Sequence, residues 1–121
     1  TMGDSTQLET FIYVAKELGK RGIAFICARE HIGDGRIGPA LKKAFGGIYI
    51  ANEKFNYESA TEVLAKNEAD AVAFGQLFIA NPDLPQRFAA GAELNTPRPE
   101  LFYAQGPEGY VDYPALKEKA A

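Results

Sequence analysis

The stretch that decides the fold, residues Ala69 to Pro85, reads Ala-Asp-Ala-Val-Ala-Phe-Gly-Gln-Leu-Phe-Ile-Ala-Asn-Pro-Asp-Leu-Pro. A short apolar run, Ala71 to Phe74, stops at Gly75, and Asn81-Pro82-Asp83 predicts the start of a helix. A strand, a glycine and a helix N-terminus in succession allow backbone N–H groups to converge on an anion, because the first helical turn leaves its donors unpaired. The stretch therefore indicates a phosphate site or, equally, a glycine needed only for a tight turn.

Two similar apolar runs come earlier in the chain, at Ile23–Cys27 and Gly47–Ile50. The three runs begin at residues 23, 47 and 71, an interval of 24 residues, and helical patterns fill the gaps between them. Strands that alternate with helices predict parallel strands joined by right-handed crossovers. Two architectures fit this pattern, an open doubly wound sheet or part of a (β/α)8 barrel. A complete barrel takes about 250 residues, so this chain holds at most about half of one.

Four helices are predicted from apolar periodicity and from capping residues. The chain beyond Gly91 has no periodicity, and we expect residues 92–121 to form an extended tail over other structure. The predicted helices are one capped by Asp4 or Ser5, carrying an apolar stripe from Leu8 to Leu18 and ended by Gly22; one from Pro39; one over Tyr57–Lys66 capped by Asn56, with Ala60, Val63 and Leu64 inward; and one from Pro82.

The composition excludes several classes of protein. The 121 residues are 46% hydrophobic and carry a formal net charge of −3, without a basic cluster, so nucleic-acid binding is not expected. No apolar run approaches the length of a membrane span and no signal-peptide pattern opens the chain, which predicts a cytoplasmic protein. Cys27 stands alone in an apolar run, so we expect a small core residue and no metal site.

Several candidate functional residues follow the first predicted strand. The segment Gly33–Gly38 matches G-x-G-x-x-G, which would indicate a nucleotide-binding domain, but that fingerprint needs its first glycine directly after the strand. A surface loop is the better interpretation. His31 is interpreted as an exposed loop residue rather than a proton-transfer group. Arg29 and Glu30 either face a ligand or pair with each other.

Blocks of sequence in the second half of the chain resemble the C-terminal region of the Old Yellow Enzyme family, as found in bacterial N-ethylmaleimide and xenobiotic reductases. In order, these blocks are Ala69–Gly75, Phe78–Leu84, Arg98–Tyr103 and Glu108–Pro114. The resemblance implies an α/β fold, the C-terminal part of a (β/α)8 TIM barrel, with the three strands here as barrel strands 6–8. It also implies FMN as cofactor, NAD(P)H as reductant and the reduction of activated alkenes.

The resemblance further implies which residues contact the cofactor. Gln76 departs from the arginine that the family carries beside the phosphate, and Lys54 is a candidate source of the missing charge. The implied FMN-binding residues are Ala51, Asn52, Glu53, Gly75, Gln76 and Phe102, with Tyr103 on the substrate side. Composition alone, by contrast, favours packing of the aromatic rings of the tail on helices over contact with a cofactor.

The family's substrate-binding and proton-donating residues precede this segment, so the resemblance places no catalytic residue in it. The chain is therefore interpreted as the C-terminal part of an FMN-dependent ene reductase acting on enones, maleimides or related electrophiles. Alone it is expected to be inactive and to pair with the missing half or with itself. The alternative is a non-catalytic, self-associating half-barrel fragment, since such a fragment exposes strand edges and an apolar face.

Overall fold

Three parallel strands and the helices between them organise the first part of the chain. The computed structural model describes residues 6–31 and 34–117, in two compact units, Thr1–Ala73 and Phe74–Ala121. The first unit contains α1 (Gln7–Lys20), β1 (Phe25–Arg29), α2 (Gly38–Phe45), β2 (Ile48–Asn52), α3 (Tyr57–Ala65) and β3 (Ala71–Val72). The second unit contains α4 (Gln76–Ala80), α5 (Leu84–Ala90) and a 3-10 helix over Pro99–Leu101.

The sheet has the strand order β1-β2-β3, and both pairs of neighbouring strands are parallel. In the first pair, Phe25 lies opposite Ile48 and Arg29 lies opposite Asn52. A helix connects each strand to the next, because parallel strands need a crossover of this kind. The prediction of an α/β fold with three parallel strands and alternating helices is confirmed.

The first two helices end or begin close to the residues that the sequence indicated. α1 is followed by Gly22, whose φ of 68° is the left-handed conformation that terminates many helices. α2 carries Pro39 in its first turn, where the missing N–H of proline costs nothing. The predicted caps of α1, Asp4 and Ser5, lie outside the described residues.

α3 begins with a capping box. The Asn56 side chain accepts a hydrogen bond from the Ser59 N–H at 2.8 Å, and the Asn56 N–H donates to Ser59 Oγ at 2.9 Å. Ala60 and Val63 are buried as predicted, whereas Leu64 is 44% exposed. The cap and most of the inward face were thus correctly predicted, and the position of Leu64 was wrong.

One face of the sheet is covered better than the other. Tyr49 and Ala51 of the central strand are fully buried, but Phe25 is 52% exposed and Ile48 is 54% exposed. Cys27, predicted as a core residue, is also exposed. Successive residues of a strand point to opposite faces, so Cys27 shares the open face with Phe25.

The second unit departs from the prediction at its first helix. A single helix was expected from Pro82, but α4 begins at Gln76 and α5 begins only at Leu84. Asn81 separates the two, fully buried, and its side-chain amide donates to the Leu77 carbonyl at 2.9 Å. No side chain caps α4, so this five-residue helix carried no capping signal in the sequence.

The chain beyond α5 is held in place by polar contacts. The buried Arg87 donates to the carbonyl oxygens of Glu93 at 2.6 Å and Pro114 at 2.7 Å. Asp83, at the N-terminus of α5, accepts the Leu116 N–H at 2.6 Å. Because such contacts satisfy backbone groups outside regular structure, residues 92–117 keep a defined path with one short 3-10 helix.

Candidate functional site

The turn after β2 contains three of the residues predicted to bind the cofactor. Ala51 is buried within the strand and Asn52 is the last residue of it. Glu53 and Lys54 then take positive φ values of 95° and 57°. Such values are uncommon for residues other than glycine, and the strain that they store clusters at ligand-binding turns.

The turn presents backbone donors without acceptors. Asn52 Oδ1 accepts the Glu53 N–H at 2.8 Å. Within residues 6–31 and 34–117, the next two N–H groups, those of Lys54 and Phe55, donate to no acceptor. Consecutive N–H groups in a turn of this kind form a concavity that suits an anion. The donor set of the turn therefore fits a phosphate group.

An ion pair joins the ends of β1 and β2. Arg29 Nε donates to Glu53 Oε2 at 2.7 Å, and this bond lowers the pKa of Glu53 because it stabilises the charged carboxylate. A cavity of about 470 Å³ beside the pair is lined in part by His31 and Lys54. Arg29 thus has a partner across the sheet, at the edge where the predicted phosphate turn lies.

Glu30, the neighbour of Arg29, belongs to a different cluster. It is buried, and its carboxylate is contacted by Arg36 at 2.5 Å and accepts the Tyr49 hydroxyl. Arg36 also contacts Glu68 at 2.6 Å. Burial and the bond to Glu30 raise the pKa of Tyr49, which keeps the phenol a neutral donor. Arg29 and Glu30 therefore do not pair with each other, which was one of the two alternatives that the sequence left open.

In the second unit, Gly75 lies at the start of α4 with an open environment. Its φ is −88°, and a Cβ placed there would meet no atom within 4 Å. The first helical bond runs from Ile79 N–H to the Gly75 carbonyl, and no described acceptor binds the N–H groups of Gln76, Leu77 or Phe78. The alternative interpretation, that Gly75 is needed only for a tight turn, is not supported, because an alanine would fit at this position.

Phe102, predicted to lie near the flavin, and Tyr103, predicted on the substrate side, come just beyond the 3-10 helix. Phe102 is half-buried, and Tyr103 is 99% exposed. The Tyr103 ring therefore packs against nothing in the described part of the chain. Tyr110 is likewise 82% exposed, so the composition-based expectation that the tail rings pack on helices fails for these two tyrosines.

The remaining sequence candidates gain no functional partner from the structure. His31 is exposed, and Gly33, the first glycine of the G-x-G-x-x-G match, lies outside the described residues. Among the residues described, no three His, Cys, Asp or Glu side chains group closely enough to hold a metal ion. In that same part of the chain, each helix is too short or too polar to cross a bilayer.

Comparison with known proteins gives a consistent set of relatives, although no family model matches the chain. The 12-oxophytodienoate reductase 2 of Arabidopsis thaliana is 35% identical over 98% of the chain and 34% of its own length. Morphinone reductase in complex with tetrahydroNAD is 40% identical, with a TM-score of 0.86 over 95% of this chain and 32% of that one. The old yellow enzyme from Trypanosoma cruzi is 30% identical, with a TM-score of 0.86 over 94% of this chain and 31% of that one.

The fold and these matches define the chain as a segment of a (β/α)8 barrel. It belongs to the Old Yellow Enzyme family. The chain spans between about a fifth and a third of the length of the curated relatives that it matches, and about a third of most of the solved structures.

Proposed function

We propose that the protein is an FMN-dependent, NAD(P)H-consuming ene reductase that reduces the activated C=C bond of a small electrophilic alkene. The observation that carries the proposal is the agreement with morphinone reductase and the old yellow enzyme in both sequence and backbone over 94–95% of the chain. The morphinone reductase neighbour was solved with tetrahydroNAD, which supports a nicotinamide reductant.

The proposed role of residues 1–121 is to bind the cofactor. The residues that bind the alkene and donate its proton are proposed to lie in the part of the protein that precedes this segment. When bound, FMN would supply the hydride-transfer chemistry that links NAD(P)H to the β-carbon of the alkene. In the first unit, two unpaired backbone N–H groups, those of Lys54 and Phe55, directly follow the turn Ala51-Asn52-Glu53. These donors would bind and orient the phosphate.

In the second unit, the proposed cofactor residues are Gly75, Gln76 and Phe102. The unpaired N–H groups at the start of α4 suit an oxyanion, and Gly75 leaves space for one to approach the backbone. Phe102 supplies an apolar surface for the flavin ring, and Tyr103 is exposed for contact with substrate. Because none of these groups transfers a proton or a hydride, residues 1–121 alone are expected to show no turnover.

Lys54 is proposed to supply the positive charge that balances the phosphate, because the glutamine at position 76 is neutral. It is exposed, and it forms no ion pair with any residue in the described ranges. Its position in the left-handed turn places a cation on the same backbone segment as the unpaired donors. We therefore expect Lys54 to contribute to FMN affinity through its charge.

Substitutions at Gly75 and Lys54 in the full-length protein test this site. Gly75→Ala fits the fold but fills the space proposed for phosphate, so the affinity for FMN is expected to fall about tenfold or more while the unfolding midpoint is unchanged. Lys54→Ala removes the charge without adding the backbone freedom of glycine at this position of positive φ. It is expected to weaken FMN binding several-fold. Lys43→Ala, an exposed lysine on α2, is the matched control.

The measurement is the quenching of FMN fluorescence on titration with each apoprotein. Unchanged affinity in Gly75→Ala would contradict the proposed phosphate position in the second unit. Equal affinities in Lys54→Ala and Lys43→Ala would remove Lys54 from the site.

A further inference from the structure

Arg29 is tied to the proposed phosphate turn by a single, specific contact. Its Nε donates to Glu53 Oε2 at 2.7 Å, across the sheet from the end of β1 to the residue after β2. The guanidinium carries five N–H donors in all, and in the described residues the terminal NH2 groups of Arg29 have no acceptor. The side chain remains 68% exposed, so it borders solvent and the adjoining cavity.

Glu53 poses an electrostatic problem for phosphate binding at this turn. Its carboxylate belongs to the segment whose unpaired N–H groups fit the phosphate, and two negative groups at one turn repel each other. Glu30, the other carboxylate among the described residues that line the cavity, is already bound by Arg36 and Tyr49. Glu53 therefore depends chiefly on Arg29 for the compensation of its charge, with a smaller electrostatic contribution from Lys54.

We propose that Arg29 is a positioning residue for the FMN phosphate, acting through Glu53: it holds the Glu53 carboxylate in an ion pair and cancels the charge that would repel the phosphate. The inference rests on the proposed function, and it concerns how this chain tolerates an acidic residue in the phosphate turn. Arg29 and Glu53 then form one functional unit, so that losing the arginine matters only while the carboxylate is present.

The test is a double-substitution cycle in the full-length protein, made of Arg29→Gln, Glu53→Gln and the two combined. The dissociation constants for FMN and for riboflavin, the same flavin without phosphate, are measured by fluorescence quenching. Arg21→Gln is the matched control, because Arg21 forms an equally exposed ion pair with Glu17 on α1, away from the turn. The midpoint of thermal unfolding of each apoprotein shows that the fold is intact.

We expect Arg29→Gln to weaken FMN binding about tenfold, because the Glu53 carboxylate then carries an uncompensated charge beside the phosphate dianion. Riboflavin binding is expected to stay unchanged, because riboflavin has no phosphate. Glu53→Gln is expected to bind FMN at least as tightly as the unsubstituted protein, and the double variant to match Glu53→Gln. Arg21→Gln is expected to behave as the unsubstituted protein.

Three results would overturn the inference: FMN affinity in Arg29→Gln within twofold of the unsubstituted protein, an equal loss for riboflavin, or an undiminished loss in the Glu53→Gln background. If the unsubstituted protein binds no FMN, the proposed function fails and this inference fails with it. If it binds FMN but Arg29→Gln binds it equally well, only this inference fails.

Discussion

Glu30 and Arg29 show at the residue scale how neighbours in sequence acquire separate roles. Successive residues at the end of a strand point to opposite sides, so Arg29 reaches Glu53 while Glu30 turns into the cluster with Arg36 and Tyr49. A buried carboxylate of this kind is stable only when each oxygen has a donor. Tyr49 is the donor to one of the two oxygens.

Tyr49→Phe in the full-length protein removes that donor while keeping the ring. The buried Glu30 carboxylate would lose one hydrogen bond, so the free energy of unfolding is expected to fall by about 1–3 kcal/mol. Tyr13→Phe, on an exposed tyrosine of α1, is the control and should stay within about 0.5 kcal/mol. Urea unfolding measures both. A Tyr49→Phe variant as stable as the control would show that Glu30 does not need this bond.

The partner of Arg29 could have been found from the sequence, because parallel neighbouring strands set which residues lie together. β1 and β2 are in a register that places Arg29 opposite Asn52, one residue before Glu53. The interval of 24 residues between successive apolar runs already puts Glu53 at the position equivalent to Arg29. The contacts of Arg36 could not be found in this way, because they depend on the path of the loop between β1 and α2.

At the scale of elements, α3 was predictable from its capping residues, whereas the five-residue α4 was not. α3 begins at its capping box, where Asn56 and Ser59 satisfy each other's backbone groups. α4 has neither a polar cap nor the length for a periodic stripe, so only its neighbours determine it. Asn81-Pro82-Asp83 was read as a helix start, yet the Asn81 side chain folds back onto α4 and accepts the Asn95 N–H at 2.7 Å.

The contact between Asp83 and the tail makes a prediction about pH. The Leu116 N–H, and then Arg87, lower the pKa of Asp83 in the folded protein. A depressed pKa stabilises the folded form above the unfolded value of about 3.9, and this contribution is lost as the pH falls through the lower folded value. As the pH falls below about 4 and through that lower folded value, the Leu116 amide is therefore expected to lose protection from hydrogen exchange progressively.

The measurement is amide exchange of Leu116 in the full-length protein at about pH 6 and about pH 3, corrected for the intrinsic rate. In Asp83→Asn, which retains an acceptor but does not titrate in this range, the protection of Leu116 should show no such change. Equal protection of Leu116 at the two pH values in the unsubstituted protein would contradict the role of the Asp83 charge.

At the scale of the whole molecule, the repeated strand-and-helix pattern was enough to predict the parallel sheet, and the separated blocks of sequence were enough to predict the family. Composition could not predict that one face of the sheet stays open, with Phe25 and Ile48 half exposed. Exposed apolar side chains on one sheet face favour association with further protein.

The most direct test of the central claim is the visible absorbance spectrum of the purified full-length protein, followed without oxygen through additions of NAD(P)H and then an enone. A flavin enzyme of this family is expected to be yellow, to lose its colour on addition of NAD(P)H, and to recover it on addition of the enone. A colourless protein that binds no added FMN and self-associates in light scattering would contradict the account and favour a non-catalytic, self-associating module.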